Sequence, residues 1–224
     1  MHIAVVEALG KKKAGMTREE ILQYTGLKNS GDVTDVLQDL ELCDFIRSYQ
    51  SFGKNKYGTI YQLMDNFTLF YLRFVVNNIH HNPHYWSEML QTKLHATWAG
   101  LSFERVCLQH INQIKKALGI HGVSTSVGGW YVKANEEHNG AQIDLLIDRE
   151  DNVINLCEMM YYGGVYTITK EEDERMRSRV ELFRQLTHTH KAVRITMITS
   201  FGLAHNMYWG NVQNELIADC LFEK

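Results

Sequence analysis

Two carboxylates in this chain have the residue types and surroundings to do chemistry. Asp144 lies in the run Gly140-Ala141-Gln142-Ile143-Asp144-Leu145-Leu146-Ile147-Asp148, and Glu158 in Val153-Ile154-Asn155-Leu156-Cys157-Glu158-Met159-Met160-Tyr161. A carboxylate in apolar surroundings is costly unless a proton, a metal or a cation compensates it. Strand parity puts Gln142, Asp144, Leu146 and Asp148 on one face, and Ile154, Leu156, Glu158 and Met160 on one face of the next strand. A hairpin through Arg149-Glu150-Asp151-Asn152 then brings Asp144 and Glu158 together at the ends away from the turn. Converging carboxylates repel unless a cation sits between them, and a hard divalent ion such as Mg²⁺ suits oxygen ligands and keeps waters for attack on a phosphodiester. Glu104, on the core face of an earlier helix, would complete such a site. The competing reading leaves the two acids half solvated at strand ends, or neutralised by arginine and lysine partners.

The elements that must position these groups follow from periodicity. Leu94, Trp98, Leu101, Leu108, Ile111 and Leu118 repeat at helical spacing, with Glu104 on the same face, which predicts one helix over 94–118 after a short one over 85–91. Strands are expected over 123–132, 141–148, 153–161 and 192–199, a charged helix over 170–186, and a last strand over 217–222. Helix, three strands, helix, strand describes an α/β sandwich with a mixed sheet.

The first 65 residues read differently. Three short helices are expected, the second opened by a Thr17 to Glu20 capping box and closed at Gly26, the third carrying Val33, Val36, Leu37 and Leu40 on one face. Two strand-like runs, 45–49 and 59–63, flank a Gly- and Lys-rich turn. This is the winged-helix order. DNA reading would require cations on the third helix, yet residues 30–44 carry Asp32, Asp35, Asp39, Glu41 and Asp44 and no lysine or arginine. Only Arg47, Lys54 and Lys56 of the wing and Lys11 to Lys13 offer backbone contacts to nucleic acid. Residues 66–76 are apolar nearly all round and predict a buried helical connector over 66–92. The histidines at 80, 81 and 84 lie in a loop with no cysteine or carboxylate to complete a metal shell.

Composition sets outer bounds. The 224 residues are 45% hydrophobic with a formal charge of −3, which argues against a generally basic nucleic-acid binder. No apolar run is long enough to span a membrane and the amino terminus lacks a signal-peptide layout, so a cytoplasmic protein without membrane association is expected. Cys43, Cys107, Cys157 and Cys220 are widely spaced and predict reduced core thiols.

Glu104, Gly140-x-Gln142-Ile143-Asp144 and Glu158-x-Met160 resemble the PD-(D/E)xK nuclease-like fold, specifically the carboxy-terminal region of the archaeal-type ATPases of bacteria and archaea. The resemblance extends to Thr17-Arg18-Glu19-Glu20-Ile21, Phe67 to Phe74, Met197-Ile198-Thr199 and Gln213-Asn214-Glu215. It implies an α+β chain with a winged-helix domain over 1–65, a helical connector over 66–92 and a nuclease-like domain over 93–224. It also implies an ATPase domain upstream or in a partner chain, because no P-loop motif occurs here. By that resemblance Asp144 and Glu158 match the metal-binding acids, Glu104 the helix acid, and Met160 stands where the pattern has lysine.

A thioether neither activates water nor balances charge, and losing such a group costs about 10²- to 10⁴-fold in rate. Lys170 is the candidate substitute cation. Two functions follow: a nucleic-acid or partner-binding module that is catalytically weak or inactive, or a Mg²⁺-dependent DNA or RNA phosphodiesterase using Asp144 and Glu158. Met160 and the acidic third helix favour the first. Substrate, pathway and oligomeric state are not encoded in any motif.

Overall fold

The computed structural model describes residues 1–53, 58–78 and 82–223. They divide into two compact units, Met1–Arg105 and Val106–Lys224. Lys54 and Lys56 of the expected wing, and His80 and His81, lie outside the described residues.

The first unit runs α1 (His2–Lys11), β1 (Met16–Thr17), α2 (Arg18–Thr25), α3 (Gly31–Leu42), β2 (Ile46–Gln50) and β3 (Thr59–Leu63). Thr17 and Glu20 form the expected capping box on α2, and Gly26 ends it in the left-handed conformation. The strands form a three-stranded antiparallel sheet in the order β1-β3-β2. Val5, Ala8 and Leu9 of α1 meet Ile21 of α2 and the Val33, Val36, Leu37, Leu40 stripe of α3, with Leu63, Leu69 and Leu101 joining the same core.

Beyond β3, α4 (Asn66–Phe70) is capped by Asp65, whose side chain accepts from Thr68 N at 2.6 Å, and continues as a π-helical turn over Tyr71–Val75. The sequence predicts burial on all sides here, and the structure corrects that: Leu69 and Phe74 are buried, whereas Phe67, Tyr71, Val75 and Val76 are exposed. Only one face finds partners. Phe70 and Phe74 pack edge-on against Trp86 at 5.1 and 5.2 Å between ring centroids, and against Trp98 at 5.8 Å. Trp86 belongs to α5 (Tyr85–Met89) and Trp98 to α6 (Lys93–Gln109). Arg105 is buried and donates to Leu63 O at 2.6 Å and Leu101 O at 2.9 Å, so most of α6 belongs with the first unit and the division falls inside it, not at residue 93.

The single helix expected over 94–118 is two. His110 leaves helical geometry (φ −114°, ψ 33°), its Nδ1 lies 2.7 Å from Val106 O, and α7 (Ile111–Ala117) starts after it. The second unit continues with β4 (Thr125–Val132), β5 (Ala141–Arg149), β6 (Val153–Met160), α8 (Lys170–Thr187), β7 (Ala192–Thr199) and β8 (Asn214–Ile217). The sheet order is β4-β5-β6-β7-β8. β4, β5 and β6 pair antiparallel as a meander, and α8 carries the chain across so that β7 runs parallel to β6. β8 is parallel to β7. The chain is thus an α+β protein with one mixed five-stranded sheet, as its residue pattern predicts.

Two local expectations change. The last strand occupies 214–217, and the run read as strand, 218–222, is a 3₁₀ turn that buries Leu221. Cys107 and Cys157 are buried thiols, but Cys43 is exposed at the end of α3. No helix among the described residues is long and apolar enough to cross a membrane.

Candidate functional site

The β5–β6 hairpin turns at Asn152, which adopts φ 64°, a left-handed conformation that Asn tolerates better than most residues. Its register pairs Asp148 with Ile154, Ile147 with Asn155, Leu146 with Leu156 and Leu145 with Cys157. The ladder ends there, one residue short of Asp144 and Glu158, which both lie at the end away from the turn. Gly140, just before β5, fits a close passage: a Cβ there would stand 3.1 Å from Ala134 N and 3.3 Å from Val132 O.

Like charges close together on paired strands destabilise a sheet. The compensating cation is Arg179 of α8, whose Nη1 makes an ion pair with Glu158 Oε1. The pair is largely sheltered, with side chains 19% and 21% exposed. Burial pulls the Arg179 guanidinium below its ordinary pKa, and the nearby charge of Asp144 pushes it back up. A guanidinium stays protonated in proteins, so Arg179 is a permanent positive charge serving both acids. Gln142 adds a neutral donor, its Nε2 lying 2.5 Å from Asp144 Oδ1.

Arg179 was not among the residues singled out from sequence, although a signal exists. Met176, Val180 and Phe183 face the interior of the unit, and Arg179 sits among them at the i, i+3, i+4, i+7 spacing of a core stripe. A lone arginine on a buried stripe has to meet an acid.

Lys170 does not take the cationic role proposed for it. Its side chain is 73% exposed and lies 3.8 Å from Glu174 on the same helix. Nine residues separate it from Arg179, about half a turn out of phase at 3.6 residues per turn, so the two point to opposite sides of α8. Glu104 belongs to the first unit, where its Oε1 accepts from Lys13 Nζ at 2.7 Å. Arg47 of β2 is engaged internally, donating Nε to Gln62 Oε1 at 2.8 Å and lying 4.6 Å over the Tyr49 ring.

Met160 shares the face of Glu158 and packs with the cluster of Ile168, Met176, Ile195, Met197 and Leu203. An apolar wall thus stands beside Glu158 on that face. At the edge of that wall Tyr166 donates its hydroxyl to Glu172 Oε1, and Glu172 Oε2 accepts from Thr169 N at 3.0 Å, closing a capping box on α8. Burial, and then the bond to Glu172, push the Tyr166 phenol up.

This donor set does not fit a divalent ion. One carboxylate of the pair is already bound to a guanidinium, and among the described residues no group of three or more His, Cys, Asp or Glu side chains is placed to hold a metal. Hard cations want several oxygen ligands and pay heavily for a positive neighbour at close range.

The aromatic residues near this end of the sheet divide in two. Trp130 is buried, with its ring 5.3 Å from that of Phe183. Tyr161 and Tyr162 after β6, Phe201 after β7, and Trp209 are exposed. The parallel register pairs Met160 with Thr199, so the segments after both strands emerge at one end of the sheet. Tyr162 N donates to Ser200 Oγ at 2.9 Å, while Trp209 stacks on His205 at 4.1 Å and donates Nε1 to Glu215 Oε2 at 3.0 Å.

No family model and no curated protein matches the chain. Two solved structures are similar to it in part. A protein of unknown function, AF1548, shares 16% identity over 50% of this chain and 56% of its own, with a TM-score of 0.34. Protein VC1899 from Vibrio cholerae shares 11% identity over 98% of this chain and 48% of its own, with a TM-score of 0.35. The chain therefore spans about half the length of each of these two structures.

Proposed function

We propose that this chain is a binding module with a nuclease-like second unit whose acidic site is neutralised from within and is catalytically weak or inactive. The observation that carries the reading is the ion pair between Arg179 and Glu158, with the charge of Asp144 acting on the same guanidinium and Met160 beside Glu158. Hydrolysis of a phosphodiester needs a metal or a general base at the acids, and this pairing leaves neither role filled. The helix, three-strand, helix, strand order of the second unit supports a nuclease-like scaffold, and the helices and hairpin of the first support a winged helix.

The ligand class favoured at the second unit is single-stranded nucleic acid, because exposed Tyr161, Tyr162, Phe201 and Trp209 offer faces on which bases stack. The acidic α3 and the internal engagement of Arg47 argue against DNA-sequence reading by the first unit. By its resemblance the chain works beside an ATPase domain, in the same polypeptide or another.

The test combines cleavage and binding. With Mg²⁺ or Mn²⁺, the purified chain should leave single- and double-stranded DNA and RNA intact. It should bind a labelled oligothymidylate, and Trp209→Ala or Tyr161→Ala should weaken binding by about 5- to 100-fold, since stacking is worth about 1–3 kcal/mol per base. Robust cleavage abolished by Asp144→Ala and Glu158→Ala would establish the alternative, a metal-dependent phosphodiesterase. The convergence of both acids on Arg179 is what favours that second reading.

A further inference from the structure

The first unit carries an apolar groove of about 830 Å³ that lies wholly within it and is independent of the carboxylate pair. Ile3 and Val6 of α1, Leu42 at the end of α3, Phe45, and Tyr71 and Leu72 of the π-helical turn line it. Ile3 and Leu42 are each 75% exposed, an unusual state for two large aliphatic side chains on a common rim.

The charged residues of the rim select what fits. Glu7 and Asp39 line the groove, and among the described residues no lysine or arginine does. Asp32, Asp35 and Asp39 are exposed and spaced three and four residues apart, so they form an acidic stripe along α3 that runs into Leu42. His2 Nε2 stands 3.2 Å from Asp39 Oδ2, tying the start of α1 to that stripe. Phosphates would be repelled by this rim, as would an anionic membrane surface. A second copy presenting the same face would set one acidic stripe against another.

We propose that this groove docks a short amphipathic helix of a partner protein, with aliphatic anchors at i, i+3 or i+4 and i+7 in the groove and lysine or arginine on the flank facing α3. A groove of this size takes the few anchors that helix-in-groove recognition uses, and the flank charges set orientation and association rate more than affinity. The turn at Tyr71–Val75 supports this use, because π-helical geometry is rare and concentrates at functional places.

The probe is a synthetic helical peptide of about four turns with leucine at the anchor positions and lysine elsewhere, paired with a twin carrying glutamate for lysine. Binding to the whole chain is read by fluorescence anisotropy, and its location by amide shift changes. The lysine peptide should bind at least about ten-fold more tightly than its twin, with shifts confined to α1, the end of α3 and residues 67–76. Leu42→Glu and Ile3→Glu, both at exposed positions and checked by circular dichroism, should each lower affinity by about ten-fold or more. Asp35→Lys with Asp39→Lys should transfer the preference to the glutamate peptide. Equal binding of both peptides, indifference to Leu42→Glu, or shifts elsewhere would overturn the proposal. So would a concentration-dependent dimer dispersed by Leu42→Glu, which would make the occupant a second copy.

Discussion

Arg179 of α8 ion-pairs with Glu158 of β6, and its guanidinium also feels the charge of Asp144 on the neighbouring strand β5. The helix that crosses between the parallel strands thus contributes the counter-charge for the antiparallel hairpin. Without it, two acids would stand uncompensated at the end of a ladder, in a setting that screens them poorly. Arg179→Met keeps the packing of the stem and removes the charge. It should destabilise the chain by roughly 2–4 kcal/mol, somewhat less than stripping one partner from a fully buried pair because solvent still reaches both side chains. Adding Glu158→Gln should recover a good part of that loss, because the repulsion disappears with the second charge. Urea titration of the four members of the cycle measures the coupling. Additive losses would mean that the two side chains do not communicate.

Met160 gives the second prediction. Its thioether packs with Met176 and Met197, so Met160→Leu should change stability by less than about 1.5 kcal/mol. Met160→Lys places an ammonium against the same apolar wall and should cost more, offset in part by Glu158 and Glu172 along the wall. Introducing this lysine alone should produce no divalent-dependent cleavage, because Arg179 still holds Glu158. Cleavage by Met160→Lys in an otherwise unchanged chain would show that the guanidinium yields to a metal.

The acid pair was legible in sequence for a simple reason: alternation with period two is a strong signal, and a four-residue turn between two such runs fixes both register and face. Arg179 was hidden by the opposite circumstance. It lies in Lys170 to Arg177, Arg179 and Glu181, a stretch so charged that one arginine on the buried stripe looks like another solvated group. Lys170 drew attention because it opens the helix, but helical phase carries it to the far side. The break at His110 was equally silent, since a side chain bonding its own preceding turn leaves no mark on hydrophobic period. The last strand slipped because Leu216 to Phe222 is apolar enough for either a strand or a 3₁₀ turn, and only the sheet register decides. Exposure of Tyr161 and Trp209 is a tertiary fact with no local signature.

A third prediction concerns acid. Burial raises the pKa of Glu172, but the bonds it accepts from Thr169 N, the Tyr166 hydroxyl and the Thr169 hydroxyl outweigh that and hold it below its ordinary value of 4.5. A carboxylate whose pKa is lower folded than unfolded adds stability that is complete above the unfolded pKa and is lost as pH falls through the folded one. Glu172→Gln keeps the geometry of the capping box, since glutamine serves at that position, and removes the titration. The variant should be less stable than the parent at neutral pH and approach it as pH drops below 4.5. Thermal melts across that range decide it, and a constant gap at all pH values would refute the assignment.

Asn155 carries the fourth. It is fully buried on the sheet face opposite Glu158, where its Nδ2 donates to Thr196 Oγ1 at 3.0 Å and to Asn214 Oδ1 at 3.1 Å, a polar ladder across β6, β7 and β8. Thr196 Oγ1 also donates to Asn214 Oδ1 at 3.4 Å, and Asn155 Oδ1 accepts from Arg149 Nη1 at 3.4 Å, so the side chains form one connected network. A set that is fully satisfied fixes strand register, while a half-satisfied one is worse than an apolar patch. Asn155→Ala strips the shared donor, leaves buried Thr196 Oγ1 without the bond it accepts and opens a small cavity, and should cost about 2–4 kcal/mol. Thr196→Val removes that acceptor with little change of shape. Placed on top of Asn155→Ala, it should therefore cost less than it does alone, and chemical denaturation of the single and double variants measures the difference. If the two losses simply add, the ladder is a set of independent contacts, and β8 is held to β7 by its backbone bonds alone.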